Sequence, residues 1–297
     1  MKRIFYFNIN YNCNSNCIFC YSHNTRHNEK SYHEMSLVSI TSYLEQNTLT
    51  MYDRVILNGG EPLLHSHIIE ILQYLKGLNC EVLIYTNGRL LNKLPINIFN
   101  NNFRIIIPWH GTEKTHNYIT GVCGSYNETL NGIDYILDSS ALVEVKIIVN
   151  WDMLSQKGID SSLMALEKLP IKSLHAIHLT KVADTIISKK NGCPPVLYSD
   201  VALPNYFFFD FCASHGRLIK FFDTCVAKIP LPSNPLPVFK EKYAVYFNDW
   251  SHRWQVILQK NQIDCMNDCP HSSYCKSAVN NYTALEYNNG IWSESWE

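Results

Sequence analysis

Cys13, Cys17 and Cys20 form a Cys-x3-Cys-x2-Cys run directly after an apolar, β-rich stretch from Ile4 to Ile9. Three thiolates at these gaps can wrap one compact metal centre. A [4Fe-4S] cubane held by three protein ligands keeps one iron open for a further ligand. A structural zinc instead closes with a fourth Cys or His, and His23 is near enough in sequence to serve. Spacing alone leaves both open, with buried free thiols as the bland third reading and the cluster ahead of the others. The chain has eleven cysteines, an odd number that cannot all pair as disulfides. In a reducing compartment such thiols are more often metal ligands or catalytic groups.

A second group capable of chemistry is Asn58-Gly59-Gly60-Glu61-Pro62, which follows an apolar run ending at Leu57. Glycines let a backbone approach a ligand closely, and a carboxylate can accept hydrogen bonds from an ammonium group. Taken alone the pentapeptide is a turn signal. Taken in register with the cysteine run, which has Phe19 just before its third cysteine, it resembles the radical S-adenosylmethionine superfamily. Further similarities are Tyr85-Thr86-Asn87-Gly88 after the third apolar run, Trp109-His110-Gly111-Thr112, His116, Gly121 and Gly124-Ser125-Tyr126.

The resemblance implies a [4Fe-4S] cluster on Cys13, Cys17 and Cys20, with an open iron that binds S-adenosylmethionine. It further implies reductive cleavage of that cofactor to methionine and a 5'-deoxyadenosyl radical, which removes a hydrogen atom from the substrate. Phe19, Gly59, Gly60, Glu61 and Asn87 become cofactor-binding candidates, with the Gly-Gly-Glu-Pro element meeting the methionine amino group. A flavodoxin- or ferredoxin-type reductant is implied as a partner. One departure is Pro108, where many relatives have a serine. Proline offers neither hydroxyl nor backbone donor, so Lys146, Asn150 and His178 are candidates to supply the missing contacts. Each could equally be a hydrogen-bonded structural residue.

These groups need a scaffold, and the spacing of apolar residues supplies one. Strands are expected at Ile4 to Ile9, Arg54 to Leu57, Val82 to Thr86, Phe103 to Ile107, Val143 to Val149 and Leu174 to Leu179. Several are nearly continuous in Ile, Val, Leu and Phe, as parallel strands covered on both faces are. Helical spacings lie between them: Leu37, Ile40 and Leu44; Ile68, Leu72 and Leu75; Tyr126, Leu130, Ile133 and Leu137. The fold class expected from this spacing is α/β with a parallel, barrel-like sheet, and the resemblance implies a partial (β/α)6 TIM-like barrel over residues 1–190, with the cysteine loop at the carboxyl end of its first strand, where barrel active sites are built.

Beyond Gly192 the prolines multiply, and the parallel pattern is expected to stop there. Six of the eleven cysteines, from Cys193 to Cys275, fall in this last third. Val238 to Leu258 reads as mostly helical, and Cys212 and Cys225 flank a stretch that could form a hairpin. Together with Cys265, Cys269 and Cys275 they resemble the auxiliary-cluster extensions known as SPASM and twitch domains, assigned to residues 191–297. Because no cysteine follows Cys275, the resemblance implies one auxiliary [4Fe-4S] cluster, from Cys212, Cys225 and two of Cys265, Cys269 and Cys275. A zinc-stapled subdomain is the alternative. Cys193 and His271 are spare ligands, and Cys80 and Cys123 are expected as ordinary buried thiols.

Composition bounds the rest. Hydrophobic residues make up 46% and charged residues 17%, which fits a globular chain and not a disordered one. With 25 basic and 26 acidic residues there is no electrostatic footprint for nucleic acid. The amino-terminal apolar run stops at Asn8, too short for a signal peptide, and no run of transmembrane length follows, so a cytoplasmic protein with no membrane partner is expected. An auxiliary-cluster region after a short barrel suggests a maturase that forms a crosslink, thioether, epimer or oxidised side chain on a ribosomally made peptide. Twelve residues before Cys13 leave no space for a leader-binding domain, so a separate leader-binding carrier protein is expected as partner. The alternatives are a radical S-adenosylmethionine enzyme acting on a small-molecule substrate, as a dehydrogenase or in cofactor biosynthesis, and a non-catalytic iron-sulfur or zinc scaffold.

Overall fold

Each of the six β-rich runs folds as a strand. The computed structural model describes residues 3–20, 34–183, 185–197 and 199–221, and the backbone of 244–248, 254–257, 283–288 and 291–296. In chain order the elements are β1 (Arg3–Asn10), α1 (Leu37–Gln46), β2 (Arg54–Gly59), α2 (Ile68–Lys76), β3 (Glu81–Tyr85), β4 (Phe103–Trp109), α3 (Glu113–Thr120) and α4 (Ser125–Leu137). There follow β5 (Leu142–Val149), α5 (Gln156–Leu166), β6 (Ala176–Lys181), α6 (Ile186–Lys190), α7 (Ala202–Ser214), β7 (Leu218–Phe221), β8 (Ala244–Asn248), β9 (Trp254–Ile257), β10 (Thr283–Asn288) and β11 (Ile291–Trp296). The fold is α/β, a partial TIM-like barrel.

The chain divides into two compact units. The first comprises Met1–Ile107, Thr120–Val143 and Glu241–Leu258. Its strands run in the order β9, β8, β1, β2, β3, β4, with every pair from β8 to β4 parallel and β9 antiparallel to β8. Phe5 and Phe7 of β1 meet Tyr43 of α1 edge-on, at ring-centroid distances of 6.1 and 6.3 Å. Because successive side chains of a strand point to opposite faces, Tyr6 and Asn8 lie on the face turned away from that helix.

The second unit comprises Pro108–Ile119, Glu144–Lys240 and Gln259–Glu297. Here β5, β6 and β7 are parallel, and β10 and β11 add antiparallel strands beyond β7. Phe221 of β7 packs against Phe209 of α7 at 6.0 Å, so His178 of β6 and Lys220 of β7, which are register partners, lie on the opposite face.

Three expectations fail. The parallel pattern does not stop at Gly192, because α7 and β7 add a further helix-strand step whose strand pairs in parallel with β6. The same step replaces the expected hairpin: Cys212 lies inside α7, ahead of the strand Leu218–Phe221. Within Val238 to Leu258 the described residues are not helical, since they form β8 and β9. Their apolar residues, Val245-Tyr246-Phe247 and Val256-Ile257, are β-branched or aromatic, and pairing with β1 overrides a helical reading.

An ionic fork ties the first unit's strands together. Glu81 of β3 accepts from Arg54 Nε of β2 at 2.7 Å and from Arg104 Nε of β4 at 2.8 Å. Burial works against ionisation of Glu81, but the two guanidinium groups hold its carboxyl below the usual range. A depressed carboxylate stabilises the fold fully above its ordinary pKa of about 4.3 and loses that contribution as pH falls through the depressed value. Glu81→Gln is expected to lower stability at pH 7 by about 2 kcal/mol, and to flatten the loss of stability below about pH 4. Urea melts at the two pH values check this; equal deficits at both would show that the charge is immaterial.

Candidate active site

The carboxyl end of β1 runs straight into the cysteine loop. Cys13, Cys17 and Cys20 are half-buried there and none is in a disulfide. Among the described residues no three His, Cys, Asp or Glu side chains converge as a single-ion site requires. A cubane asks something different, because each thiolate binds its own iron at a separate corner. The Ser15 N–H donates to Cys13 Sγ at 3.4 Å, a contact that favours the thiolate over the thiol. These features fit a [4Fe-4S] cluster on the three cysteines.

The loop is fixed from four directions by groups of the same unit. Asn16 N–H donates to the Thr120 carbonyl at 2.8 Å. Asn87 Nδ2 donates to Asn14 Oδ1 at 2.6 Å. Arg89 Nη1 donates to the Asn14 carbonyl and, at 3.2 Å, to Ser15 Oγ, while its Nε pairs with Glu128 of α4. Phe19 is buried at the root of the loop.

The fourth tie is the turn after β2. Gly60 N–H donates to the Asn10 carbonyl at 2.9 Å, and Glu61 N–H to the Asn12 carbonyl at 2.7 Å. A Cβ on Gly59, whose φ is +141°, would sit 2.1 Å from the Asn10 oxygen, and one on Gly60 would sit 2.2 Å from the Asn12 oxygen. The glycines are therefore required by the approach of this turn to the cysteine loop itself.

Glu61 departs most from its sequence-based role. Its Oε1 accepts from Leu63 N at 3.1 Å and from Thr86 Oγ1 at 2.7 Å, and its Oε2 accepts from Asn87 N at 2.8 Å. It is 1% exposed, and burial pushes its carboxyl above the usual range although the three donors and Arg89 pull it down. The side chain is a clamp that joins the end of β2 to the end of β3. Asn87 is the hub it holds, since the Asn87 carbonyl also accepts from Thr129 of α4 at 3.0 Å.

Lys146, Asn150 and His178 fall in the second unit. Lys146 is half-buried on β5. Asn150 is wholly buried; its Nδ2 donates to the His110 and Ile148 carbonyls at 3.1 Å each, and its Oδ1 caps the following turn through Asp152 N. Its amide is committed to the protein. His178 Nε2 contacts the Glu144 carboxylate, which Lys220 Nζ also reaches at 3.2 and 3.4 Å, all three side chains being buried. Sequence reading missed Glu144 and Lys220, although a charge inside Val-Glu-Val and inside Ile-Lys-Phe is a signal that buried strands rarely show.

Of the carboxyl-terminal cysteines, Cys225, Cys265, Cys269 and Cys275 lie outside the described residues, as do His23 and His271. Cys212 is wholly buried in α7, and burial pushes its thiol well up. Cys193 is half-buried. Cys80 is buried as expected, its thiol pushed up to about 12, whereas Cys123 is exposed and not a core thiol.

Fold and site together define a partial-barrel domain with a three-cysteine loop at the carboxyl end of its first strand. Residues 7–149 match the model of the Radical SAM superfamily. It is 35% identical over 86 residues to the 7-carboxy-7-deazaguanine synthase of Halobacterium salinarum, covering 29% of this chain and 32% of that protein. It is 29% identical over 150 residues to a probable GTP 3',8-cyclase of Methanocella arvoryzae, covering 50% of this chain and 46% of that one. The chain thus spans less than half the length of these relatives. Its fold is similar to that of Streptococcus suis SuiB bound to S-adenosylmethionine, with a TM-score of 0.56, 14% identity, and coverage of 93% of this chain and 65% of SuiB. SuiB has also been crystallised with its precursor peptide SuiA; that structure aligns with a TM-score of 0.53 at 15% identity, over 72% of this chain and 46% of that one. No helix among the described residues is long and apolar enough to cross a membrane.

Glu61→Ala should leave two buried N–H groups and one hydroxyl without an acceptor, at about 1–3 kcal/mol each. A fall in Tm of several degrees is expected for the metal-free protein, with Glu61→Gln intermediate. A Glu61→Ala variant that melts with the wild type would show that the carboxylate is not a clamp.

Proposed function

We propose that this chain is an enzyme that reductively cleaves S-adenosylmethionine and removes a hydrogen atom from its substrate. The observation that carries the reading is the cysteine loop, locked by Asn87, Arg89 and Thr120 against the Gly59–Glu61 turn. When bound, cluster and cofactor would supply sulfonium cleavage and a hydrogen-abstracting 5'-deoxyadenosyl radical, chemistry that belongs to the cofactor and not to the side chains.

The chain's own work is placement. Cys13, Cys17 and Cys20 would each hold one iron. The Ser15 N–H lowers the energy of the Cys13 thiolate, and hydrogen bonds to ligand sulfurs are among the terms that set a cluster's potential. Phe19, Gly59, Gly60 and Asn87 frame the place where the cofactor would dock, with Glu61 holding that frame from behind. An external flavodoxin- or ferredoxin-type protein would supply the electron.

For the substrate we favour a side chain of a ribosomally made peptide, presented by a separate leader-binding carrier. Support comes from the fold shared with SuiB, which has been seen with a precursor peptide, and from the carboxyl-terminal cysteines. Cys225, Cys265, Cys269 and Cys275 offer four thiolates for one auxiliary [4Fe-4S] cluster within residues 191–297, without drawing Cys212 out of α7. The second reading, a small molecule in cofactor biosynthesis, is favoured by the synthase and cyclase found among the sequence relatives.

Anaerobically reconstituted protein reduced with dithionite should release 5'-deoxyadenosine, and Cys17→Ala should abolish it. Product at wild-type levels from that variant would falsify the assignment. Total iron should approach about eight per chain, two cubanes' worth. The Cys13, Cys17 and Cys20 triple alanine variant should retain about half of that iron. One zinc and no iron in the triple variant would instead establish a structural zinc.

A further inference from the structure

Asn8, in the carboxyl half of β1, is 5% exposed, and its buried Oδ1 has no hydrogen-bond partner among the described residues. A buried acceptor without a donor is rare in a finished fold and calls for a cause. Its place in the sheet supplies one. Side chains of a strand alternate between faces, so Asn8 lies on the face turned away from α1. Strand register puts Asn58 of β2 beside it. Tyr85, one residue beyond the Leu57 and Ile84 pair, continues the row onto β3, and its register partner on β4 is Ile106. Asn58 immediately precedes Gly59, the last residue of β2, and Tyr85 ends β3. The row is thus at the carboxyl side of the strands, where barrels hold their ligands. Asn58 and Tyr85 are half-buried, and Asn58 Nδ2 donates to Tyr6 Oη one row below.

Among the described residues this row carries no charge. The charged groups of the same face, Arg54, Glu81 and Arg104, lie one or two rows toward the amino ends and are bonded to one another. A cation beside Asn8 would be buried without a counter-charge, which is more costly than one hydrogen bond can offset. The donor that fits is therefore neutral. In a peptide the recurring neutral donor is the amide N–H, present in every backbone unit except at proline and in the side chains of Asn and Gln. We propose that this row is a substrate subsite, in which an amide group of the peptide donates its N–H to Asn8 Oδ1. The assignment rests on the peptide reading given above and deepens it, placing a neutral amide and not an acidic or basic side chain at this point of the substrate.

The probe is N-acetylglutamine methylamide, with a set of analogues in which each amide nitrogen in turn is an ester oxygen. Affinities are measured by ligand-observed NMR on the anaerobically reconstituted full chain. Wild type should bind the parent probe and lose about tenfold in affinity when the one N–H that meets Asn8 is replaced. Loss at the side-chain position identifies a Gln or Asn carboxamide, and loss at a main-chain position identifies a backbone amide. Asn8→Leu, close to asparagine in size, should bind the parent and that ester equally, because the partner of the N–H is gone. Asn8→Ala replaces it if the leucine variant does not fold. The proposal is overturned if wild type does not bind the parent probe, if no ester costs affinity, or if the cost persists without the Asn8 amide. Failure of the underlying reading is separate: wild-type protein reduced with dithionite would release no 5'-deoxyadenosine, whatever the probes do.

Discussion

The site depends on one steric constraint, the meeting of the ends of β1 and β2 backbone to backbone. The Asn10 and Asn12 carbonyls take the N–H groups of Gly60 and Glu61, and the space between the chains is smaller than a methyl group at both glycines. A side chain at either position would push the turn away from the cysteine loop. That displacement would pass to Glu61, whose carboxylate is bound to the end of β3, and from there to Asn87, which holds Asn14. The cluster loop is therefore positioned by a chain of contacts that starts at two residues without side chains. Because barrel strands are paired on both edges, such a loop can be held rigidly by hydrogen bonds from the neighbouring strand ends, and reactive geometry benefits from that rigidity.

The electrostatics follow from this packing. Glu61 is a buried carboxyl group facing backbone and hydroxyl donors, which together with Arg89 work against the burial that raises its pKa. Arg89 is itself neutralised by Glu128 and spent on the Asn14 carbonyl. Ionic bonds between charged side chains at strand level are placed elsewhere in the first unit, in the Arg54, Glu81 and Arg104 fork and in the Arg3 pair with Asp53. Among the described residues, the buried acceptors on β1 that lack a partner are the neutral amide oxygens of Asn8 and Asn10.

Much of this was legible from residue types and spacing. All six expected strands are present within two residues of their expected ends, because nearly continuous Ile, Val, Leu and Phe runs are strong signals of doubly covered strands. The three helices read from apolar spacing fold as expected around Ile40, Ile71 and Ile133. The failures share a cause. Ala202–Ser214 contains three consecutive phenylalanines and a proline, so it carries no clear helical stripe, and β8 owes its form to β1, more than two hundred residues away in sequence. Pairing over such distances is not written in a local period. In the site, composition revealed which groups mattered but not their direction: Glu61 was recognisable as important, while its turn inward toward Thr86 and Asn87 is decided by tertiary contacts.

The second unit shows how far a charged residue in a strand can be read before its partners are known. His178, taken alone, is an imidazole on an apolar strand, equally suited to a ligand or to the core. With Glu144 and Lys220 it becomes part of a buried ionic group on the face turned away from α7. A buried ion pair adds little net stability, because desolvation offsets its Coulomb attraction, but losing one member strands the other and is strongly unfavourable. The three residues therefore fix one another's presence and orientation: strand register sets His178 beside Lys220, and Glu144 is shared by both. A group so constrained holds β5, β6 and β7 in a single register. Any ligand role for His178 must then be played by an imidazole whose Nε2 is already committed to Glu144.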